Sequence, residues 1–222
     1  MAVRPSSNTQ APTLPPQGST PFADELERMT LVGARPRLLF VIGEAKTGYT
    51  EDITQRVLAE SEAVLSGGTF SPAWEHILRP LGTWSYALRH RVRDLFLIDE
   101  VAAATGLRYV SVLSVGKAEQ CDAAAVLKAI EEAEPDLIVC AGAENAYWPL
   151  VGRLQLGYEL LTTVYGEPVF YSLLKTETRQ TVLLHFWDPS IGYHTEGGHH
   201  YLFKLILHAY DALCRKRLLS WG

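Results

Sequence analysis

Residues 136–145 read DLIVCAGAEN, five consecutive apolar residues followed by a glycine and a short polar turn. Residues 37–48, RLLFVIGEAKTG, repeat this pattern, with Gly43 closing the apolar run. A continuous apolar run of this length is typical of a strand that is buried on both faces, as in a parallel sheet. Because helical patterns separate such runs along the chain, the sequence predicts an α/β fold with a parallel sheet.

The composition bounds the class of protein. The chain has 222 residues, of which 47% are hydrophobic, enough for one sizeable domain. Its net charge of −5 counts against a protein that coats polyanions non-specifically. The cysteines are three in number and widely spaced, without a disulfide or metal pattern. The sequence also shows no apolar run of transmembrane length and no signal-peptide pattern. Together with the cysteine spacing, these features predict a cytoplasmic protein.

Two segments of different character are predicted. Residues 1–20 are rich in Pro, Ser, Thr and Gln and hold little that could be buried, so they predict a disordered tail. Residues 21–222 are predicted to form a single domain.

The elements of that domain follow from periodicity and breakers. Strands are predicted over 37–42, 109–115 and 136–142, and 167–190 reads as two extended runs joined by a polar turn. Helices are predicted over 21–34, 50–65, 121–135, 145–165 and 198–219. Two or three more are expected between Pro72 and Gly106, where Pro80 and Gly82 interrupt the pattern.

The turns that follow the strands contain the candidate functional residues. In doubly wound sheets, ligands bind at the carboxyl ends of the strands, near the point where the strand order reverses. The turns after Ile42, Val115, Gly142 and Trp187 contain glycines, acids, amides, aromatics and histidines. The sequence therefore predicts a site at this edge.

The order and spacing of these turns resemble the uracil-DNA glycosylase superfamily over about residues 35–213. The resemblance is carried by GEA..G..ED at 43–52, a lysine after the second strand, PDLIVCAG..NA at 135–146, and PS at 189–190 after a hairpin. It implies a three-layer α/β/α sandwich with a central, mostly parallel four-stranded sheet. It also implies hydrolysis of an N-glycosidic bond at a damaged or modified base flipped out of DNA, with no cofactor.

The resemblance places the base-binding residues in the first three turns. Ala45 stands where some branches of the family have a water-positioning Asp or Asn, and Ser114 and Lys117 stand where they often have Asn and Lys. Glu44 is a candidate for orienting a water, or it caps the following helix or binds turn amides. The predicted substrate-binding residues are Gly43, Ala45, Tyr49, Ser114, Lys117 and Asn145.

The triplet DPS at 188–190 stands where the family has His-Pro-Ser, whose histidine stabilises the leaving base. An aspartate there places an anion beside a leaving anion, which raises the barrier. If the protein is active, Glu44 or Asp188 positions the water and His185 or His194 stabilises the leaving base. Asp188 also suits an Asx turn before a proline.

The resemblance also implies which residues contact DNA. Ile191 and Tyr193 are candidates for the wedge that enters the minor groove, and the glycines at 197–198 would let a helix N-terminus approach a phosphate. The segment WSYALRHRVR (84–93) is the best basic patch, or a solvated helix face. The predicted DNA-binding residues are Arg89, Arg91, Arg93, Ser190, Ile191, Tyr193, Gly197 and Gly198.

The sequence also suggests three alternatives. YHTEGGHHY at 193–201 suggests zinc, but it lacks the i, i+4 spacing of helical ligands, so no metal is predicted. A catalytically inactive module on the same fold, binding a base, nucleic acid or protein partner, is favoured by net acidity and the altered triplet. Asn145 and the Asp188/His194 pair also fit SGNH hydrolases, but Ala45 occupies the place of the nucleophilic serine, so no acyl-enzyme could form.

Overall fold

The computed structural model describes residues 36–43, 50–115, 122–142, 146–175, 180–194 and 197–219. All of them fall within one compact unit, 34–222. The predicted tail over 1–20 and the predicted helix over 21–34 lie outside the described residues.

The described residues form one seven-stranded mixed sheet with helices, which confirms the α/β class. The strands are β1 (Leu38–Gly43), β2 (Glu51–Asp52), β3 (Val110–Val115), β4 (Leu137–Ala141), β5 (Tyr158–Val164), β6 (Glu167–Lys175) and β7 (Gln180–Phe186). Their order across the sheet is β2-β3-β1-β4-β7-β6-β5. The prediction of a four-stranded sheet is therefore wrong. Four neighbours, β3, β1, β4 and β7, are parallel. Strand β2 pairs antiparallel with β3, β6 with β7, and β5 with β6.

The described helices are α1 (Thr54–Leu65), α2 (Glu75–His90), α3 (Glu100–Leu107), α4 (Ala123–Ala133), α5 (Tyr147–Arg153), α6 (Ile191–His194) and α7 (Gly198–Arg215). A single 3-10 turn, Leu95–Leu97, links α2 to α3. Among these described helices, none has the length and hydropathy that a membrane crossing requires.

The two faces of the sheet are each buried by their own helices. Side chains alternate along β1: Phe40 and Ile42 pack in a cluster with residues of α1, α2, α3 and α7. Leu39 and Val41 pack in a second cluster with residues of α4 and α5. This double burial explains why the parallel strands read as continuous apolar runs.

The predicted helix over 50–65 begins later than expected. Glu51 and Asp52 form β2, which pairs antiparallel with β3, and α1 starts at Thr54. The Asp52 carboxylate accepts a hydrogen bond from the Thr54 amide at 2.8 Å. An amide in the first turn of α1, which has no partner within the helix, is thus bonded by a residue that precedes the helix.

The predicted interruption of the helix at Pro80 and Gly82 is also wrong, because α2 runs through both residues. Gly82 serves close packing instead: a Cβ there would lie 2.2 Å from the carbonyl oxygen of Ala103 in α3. The packing of α2 against α3 therefore outweighs the low helix propensity of proline and glycine, and the helix continues through both residues.

The predicted helix over 145–165 is wrong in its second half. Helix α5 ends at Arg153 and β5 begins at Tyr158. Between them Gln155 adopts a left-handed conformation with φ of 51°, which stops the helix. The β-branched residues at 162–164 then favour the extended chain. The strands predicted at 109–115 and 136–142 are confirmed to within one residue at each end. The predicted hairpin over 167–190 is also confirmed, although β7 ends at Phe186, four residues earlier than expected.

Candidate functional site

The four parallel strands end at one edge of the sheet, which we call the carboxyl edge. Their last residues are Val115, Gly43, Ala141 and Phe186. The connection leaving β1 packs on one face of the sheet and the connection leaving β4 packs on the other, as the two core clusters show. Adjacent strands whose connections diverge in this way open a crevice between their ends, the usual place for a ligand in an α/β sheet.

Two glycines lie side by side where β1 and β4 end. Gly142 has φ of +95°, a conformation that favours glycine, and its amide donates a hydrogen bond to the Phe186 carbonyl at 3.0 Å. A Cβ on Gly142 would lie 3.6 Å from the Gly43 nitrogen, so the ends of β1 and β4 lie side by side. Because neither residue carries a side chain, a ligand can approach the backbone closely at this point.

Ser114 lies one strand away, next to Ile42 in the β1–β3 register. It is 1% exposed, and its hydroxyl has no hydrogen-bond partner among the described residues. A buried hydroxyl without a partner is exceptional in a folded protein. The structure thus places this predicted base-binding residue near the end of β3 with its hydrogen-bonding capacity unused.

Asp188 follows β7 at the same edge and forms an Asx turn. Its Oδ1 accepts hydrogen bonds from the Ser190 amide at 2.8 Å and from the Ser190 hydroxyl at 2.7 Å. One carboxylate oxygen therefore organises the turn, and Oδ2 is the oxygen that could meet a water or ligand. The Ser190 hydroxyl donates to a carboxylate, so it is held as a turn residue.

His185 lies near the end of β7 inside a cluster of aromatic rings. Its ring centroid is 5.3 Å from that of Tyr147, 5.6 Å from those of Trp148 and Trp187, and 5.9 Å from that of Phe170. Burial lowers the pKa of His185, so the imidazole is neutral at pH 7. Its Nδ1 is buried and has no hydrogen-bond partner among the described residues. His185 therefore does not act as a cation at neutral pH.

The predicted basic patch does not join this edge. The Arg89 guanidinium lies 4.2 Å from the centre of the Tyr109 ring, and Tyr109 immediately precedes β3. The six residues of β3 place that point about 20 Å from the carboxyl edge. Arg93 is paired with Asp211 through two hydrogen bonds of 2.9 and 2.8 Å, and Arg91, exposed, ends α2 in a left-handed conformation.

The glycines at 197–198 and Ile191 do follow β7 at the carboxyl edge. Ile191 begins α6 and is 48% exposed. Gly197, with φ of +75°, precedes the first turn of α7, and no side chain among the described residues caps that helix. The backbone amides of its first turn therefore face any ligand that binds at the N-terminus of α7.

One residue beside this helix start, Arg79, was not singled out from the sequence. The pKa of His199 is lowered by burial and, secondarily, by the charge of Arg79, which places the two side chains near each other. Arg79 also pairs with Glu75 on the exposed face of α2, at 3.4 Å. No local signal marks Arg79, because its neighbour at the site lies 120 positions further along the chain.

Several predicted residues cannot be placed. Glu44, Ala45, Tyr49, Lys117 and Asn145 lie outside the described residues, as do the side chains of Tyr193 and His194. Among the residues that are described, no three His, Cys, Asp or Glu side chains are grouped closely enough to hold a metal ion.

Comparison with known proteins adds no relative. No protein-family model matches the chain, and neither a curated protein nor a solved structure matches it significantly.

Proposed function

We propose that the protein is a DNA glycosylase-like protein, built as a three-layer α/β/α sandwich, that engages a flipped nucleobase at its carboxyl edge. The observation that carries the proposal is the meeting of Gly43 and Gly142 where the connections of β1 and β4 diverge. A planar base needs such an open approach to backbone amides and carbonyls, and the order of the surrounding turns resembles the uracil-DNA glycosylase superfamily.

Hydrolysis of an N-glycosidic bond needs a positioned water. Oδ2 of Asp188 is a suitable acceptor for one proton of that water, since Oδ1 is fixed by Ser190 and holds the carboxylate in place. Glu44, in the turn after β1, is the second candidate from its sequence position.

The departing base carries negative charge, which a hydrogen-bond donor stabilises. His185 is neutral, and its unused Nδ1 fits a donor or acceptor role toward the base, depending on the tautomer. Its four aromatic neighbours exclude water, so a hydrogen bond there would be stronger than in solvent. His194 is the alternative donor from the sequence.

A module that binds a base without cleaving the bond is the second candidate, and the geometry of Asp188 favours it. The residue occupies the position of the family's leaving-base donor, yet it is an anion tied into a turn. An anion beside a leaving anion opposes bond cleavage, while it leaves base recognition at the glycine pair intact.

For DNA contact, we propose that Arg79, the start of α7 and Ile191 replace the basic patch of the sequence prediction. Arg89 lies too far from the edge, since charges are screened within about 8 Å at physiological salt. Counting only the cations of the described residues at this edge, we expect DNA binding with a shallow salt dependence, near +1 to +2 in log Kd against log salt.

A cytoplasmic location is part of this proposal. The three cysteines are widely spaced in the sequence, without a disulfide pattern, as expected in a reducing compartment.

The test is an assay of base release. Labelled oligonucleotides, each with one uracil, hypoxanthine or xanthine, are incubated with the protein, and alkali-labile abasic sites are measured. Glu44→Ala and Asp188→Asn variants run beside Asp136→Asn, a matched control whose carboxylate also accepts a backbone hydrogen bond but precedes β4, at the opposite edge.

Base release that is lost in Asp188→Asn or Glu44→Ala and kept in Asp136→Asn would establish the glycosylase and its water-positioning residue. Selective binding of one modified base without release would establish the binding module. The absence of both base release and selective binding would refute the proposal.

A further inference from the structure

A cavity of about 160 Å³ lies at the margin of the sheet beside β2, between β3 and α4. Strand β2 pairs with β3 over only two residues, and at Thr54 the chain turns away into α1. On the other side of the gap, α4 contributes the small side chains of Ala129 and Ala133. The space that a longer strand or larger side chains would fill therefore stays open.

The lining of this cavity is amphipathic. Its inner part is formed by Leu39 and Leu113, both buried, together with the two alanines. Its rim carries three exposed polar residues, Asp52, Gln55 and Glu132. Two of them are carboxylates, and no lysine, arginine or histidine is among the described residues that line the cavity. An anion would meet like charge here, whereas a ligand with an apolar body and a cationic end matches both parts of the lining.

Both carboxylates are available to such a cation. Asp52 binds the Thr54 amide through Oδ1, which fixes the side chain and leaves Oδ2 for a ligand. Glu132 lies 3.7 Å from Lys128, but these side chains are 63% and 75% exposed, and exposed ion pairs of this kind contribute little. The cavity also lies beside the last turn of α4, the helix end at which the backbone dipole stabilises positive charge.

We propose that the cavity binds a small organic cation, an alkylammonium ion with a body of about four carbons. Its size follows from the volume, because a cavity of about 150 Å³ holds one benzene ring, a ligand of about six non-hydrogen atoms. The ammonium end binds Asp52 and Glu132 at the rim, and the methylene groups cover Leu39 and Leu113. Water alone would solvate the rim but would leave the two leucine side chains wet.

This site is separate from the glycine pair at the carboxyl edge. Leu39 precedes Gly43 by four residues, which is about 13 Å along β1. The proposal therefore does not rest on nucleobase binding, and the two sites can be tested independently.

The test is a titration of the nitrogen-15-labelled full chain with 1,4-diaminobutane, followed through backbone amide chemical shifts in low-salt buffer at pH 7. The neutral 1,4-butanediol has the same number of non-hydrogen atoms and is the matched ligand control. Ala129→Leu fills the cavity, and Asp52→Asn and Glu132→Gln each remove one rim charge. Glu51→Gln and Glu131→Gln are the matched protein controls, because each is the exposed acidic neighbour of a rim residue and neither lines the cavity.

We expect the diammonium ion to bind with a dissociation constant in the millimolar range or below, with shifts centred on the amides of β3 and the last turn of α4. The diol should bind at least about ten-fold more weakly. Asp52→Asn and Glu132→Gln should each raise the dissociation constant about two- to five-fold, because each removes one partly exposed ion pair. Ala129→Leu should abolish the shifts, and both protein controls should keep the wild-type affinity.

Circular dichroism shows whether each variant is folded, and the two charge variants keep the test decisive if Ala129→Leu is not. The absence of saturable shifts in the wild type, equal affinity for the diol, or an unchanged dissociation constant in both charge variants would each overturn the proposal. Shifts confined to the carboxyl edge would overturn it as well.

Discussion

Replacing Gly106 by alanine should destabilise the protein through the contact between α2 and α3. The two helices touch through their backbones: a Cβ on Gly106 would lie 2.2 Å from the Gly82 carbonyl oxygen and 2.8 Å from the Tyr86 nitrogen. Because Cβ contacts below 3.0 Å essentially do not occur, the helices must separate by about the difference, 3.0 − 2.2 = 0.8 Å. The Ser85 hydroxyl, which donates to the Gly106 carbonyl at 2.8 Å, then loses its partner.

The expected magnitude combines three contributions. Overpacking of this kind costs about 1–3 kcal/mol, and a weakened buried hydrogen bond costs about 1 kcal/mol. The higher helix propensity of alanine returns up to about 1 kcal/mol. We therefore expect Gly106→Ala to lower the free energy of unfolding by about 2 kcal/mol, which for a domain of this size lowers Tm by about 4–8 °C.

The assay is equilibrium unfolding in urea, followed by circular dichroism, with Gly152→Ala as the matched control. Gly152 is an exposed residue of α5, and a Cβ there would meet nothing within 4 Å. This control should be as stable as the wild type or more so. If Gly106→Ala matched the control, α2 and α3 could not be packed backbone to backbone and the reasoning would be refuted.

Three further substitutions test the surroundings of the site. Tyr147→Phe removes the buried hydrogen bond between the phenol and Ser172, 2.8 Å long, and should lower the free energy of unfolding by about 1–2 kcal/mol in urea titrations. Gly142→Ala forces a side chain into φ of +95° and should cost about 1–2 kcal/mol in the same assay, while an unchanged midpoint would contradict that conformation. His185→Phe should flatten the loss of stability on acidification. The folded-state pKa of His185 lies below 6.5, so the unfolded chain binds the proton first as pH falls and native stability declines below about pH 6.5. An equally steep decline in the variant would show that His185 does not carry this effect.

The parallel strands could be predicted because burial on both faces leaves an unmistakable apolar run. For β5 the sequence is ambiguous: LQLGYELLTTV fits a helical period as well as an edge strand, and only the hairpin partner β6 decides between them. For the two residues of β2, pairing with β3 outweighs the helix-start pattern around Thr50.

The edge at which the parallel strands end could be predicted, but the partners of the side chains at that edge could not. Glycines and polar turns after buried strands mark the carboxyl edge, and Gly43 and Gly142 do meet there. The arginines at 89–93 lie close together in the sequence, which carries no information about which end of the sheet their segment covers. The sequence left open whether Asp188 positions a water or forms an Asx turn. The hydrogen bond from the Ser190 amide shows that it forms the turn.

The central claim is that a nucleobase in DNA binds at the carboxyl edge. Its most direct test is hydrogen exchange of backbone amides, with and without an oligonucleotide that carries a modified base. Binding there should slow exchange at Gly43, Gly142 and the first turn of α7, while the amides of Arg37 and Asp136 at the opposite edge keep their rates. Unchanged exchange at the glycine pair, or slowing confined to the opposite edge, would contradict the account.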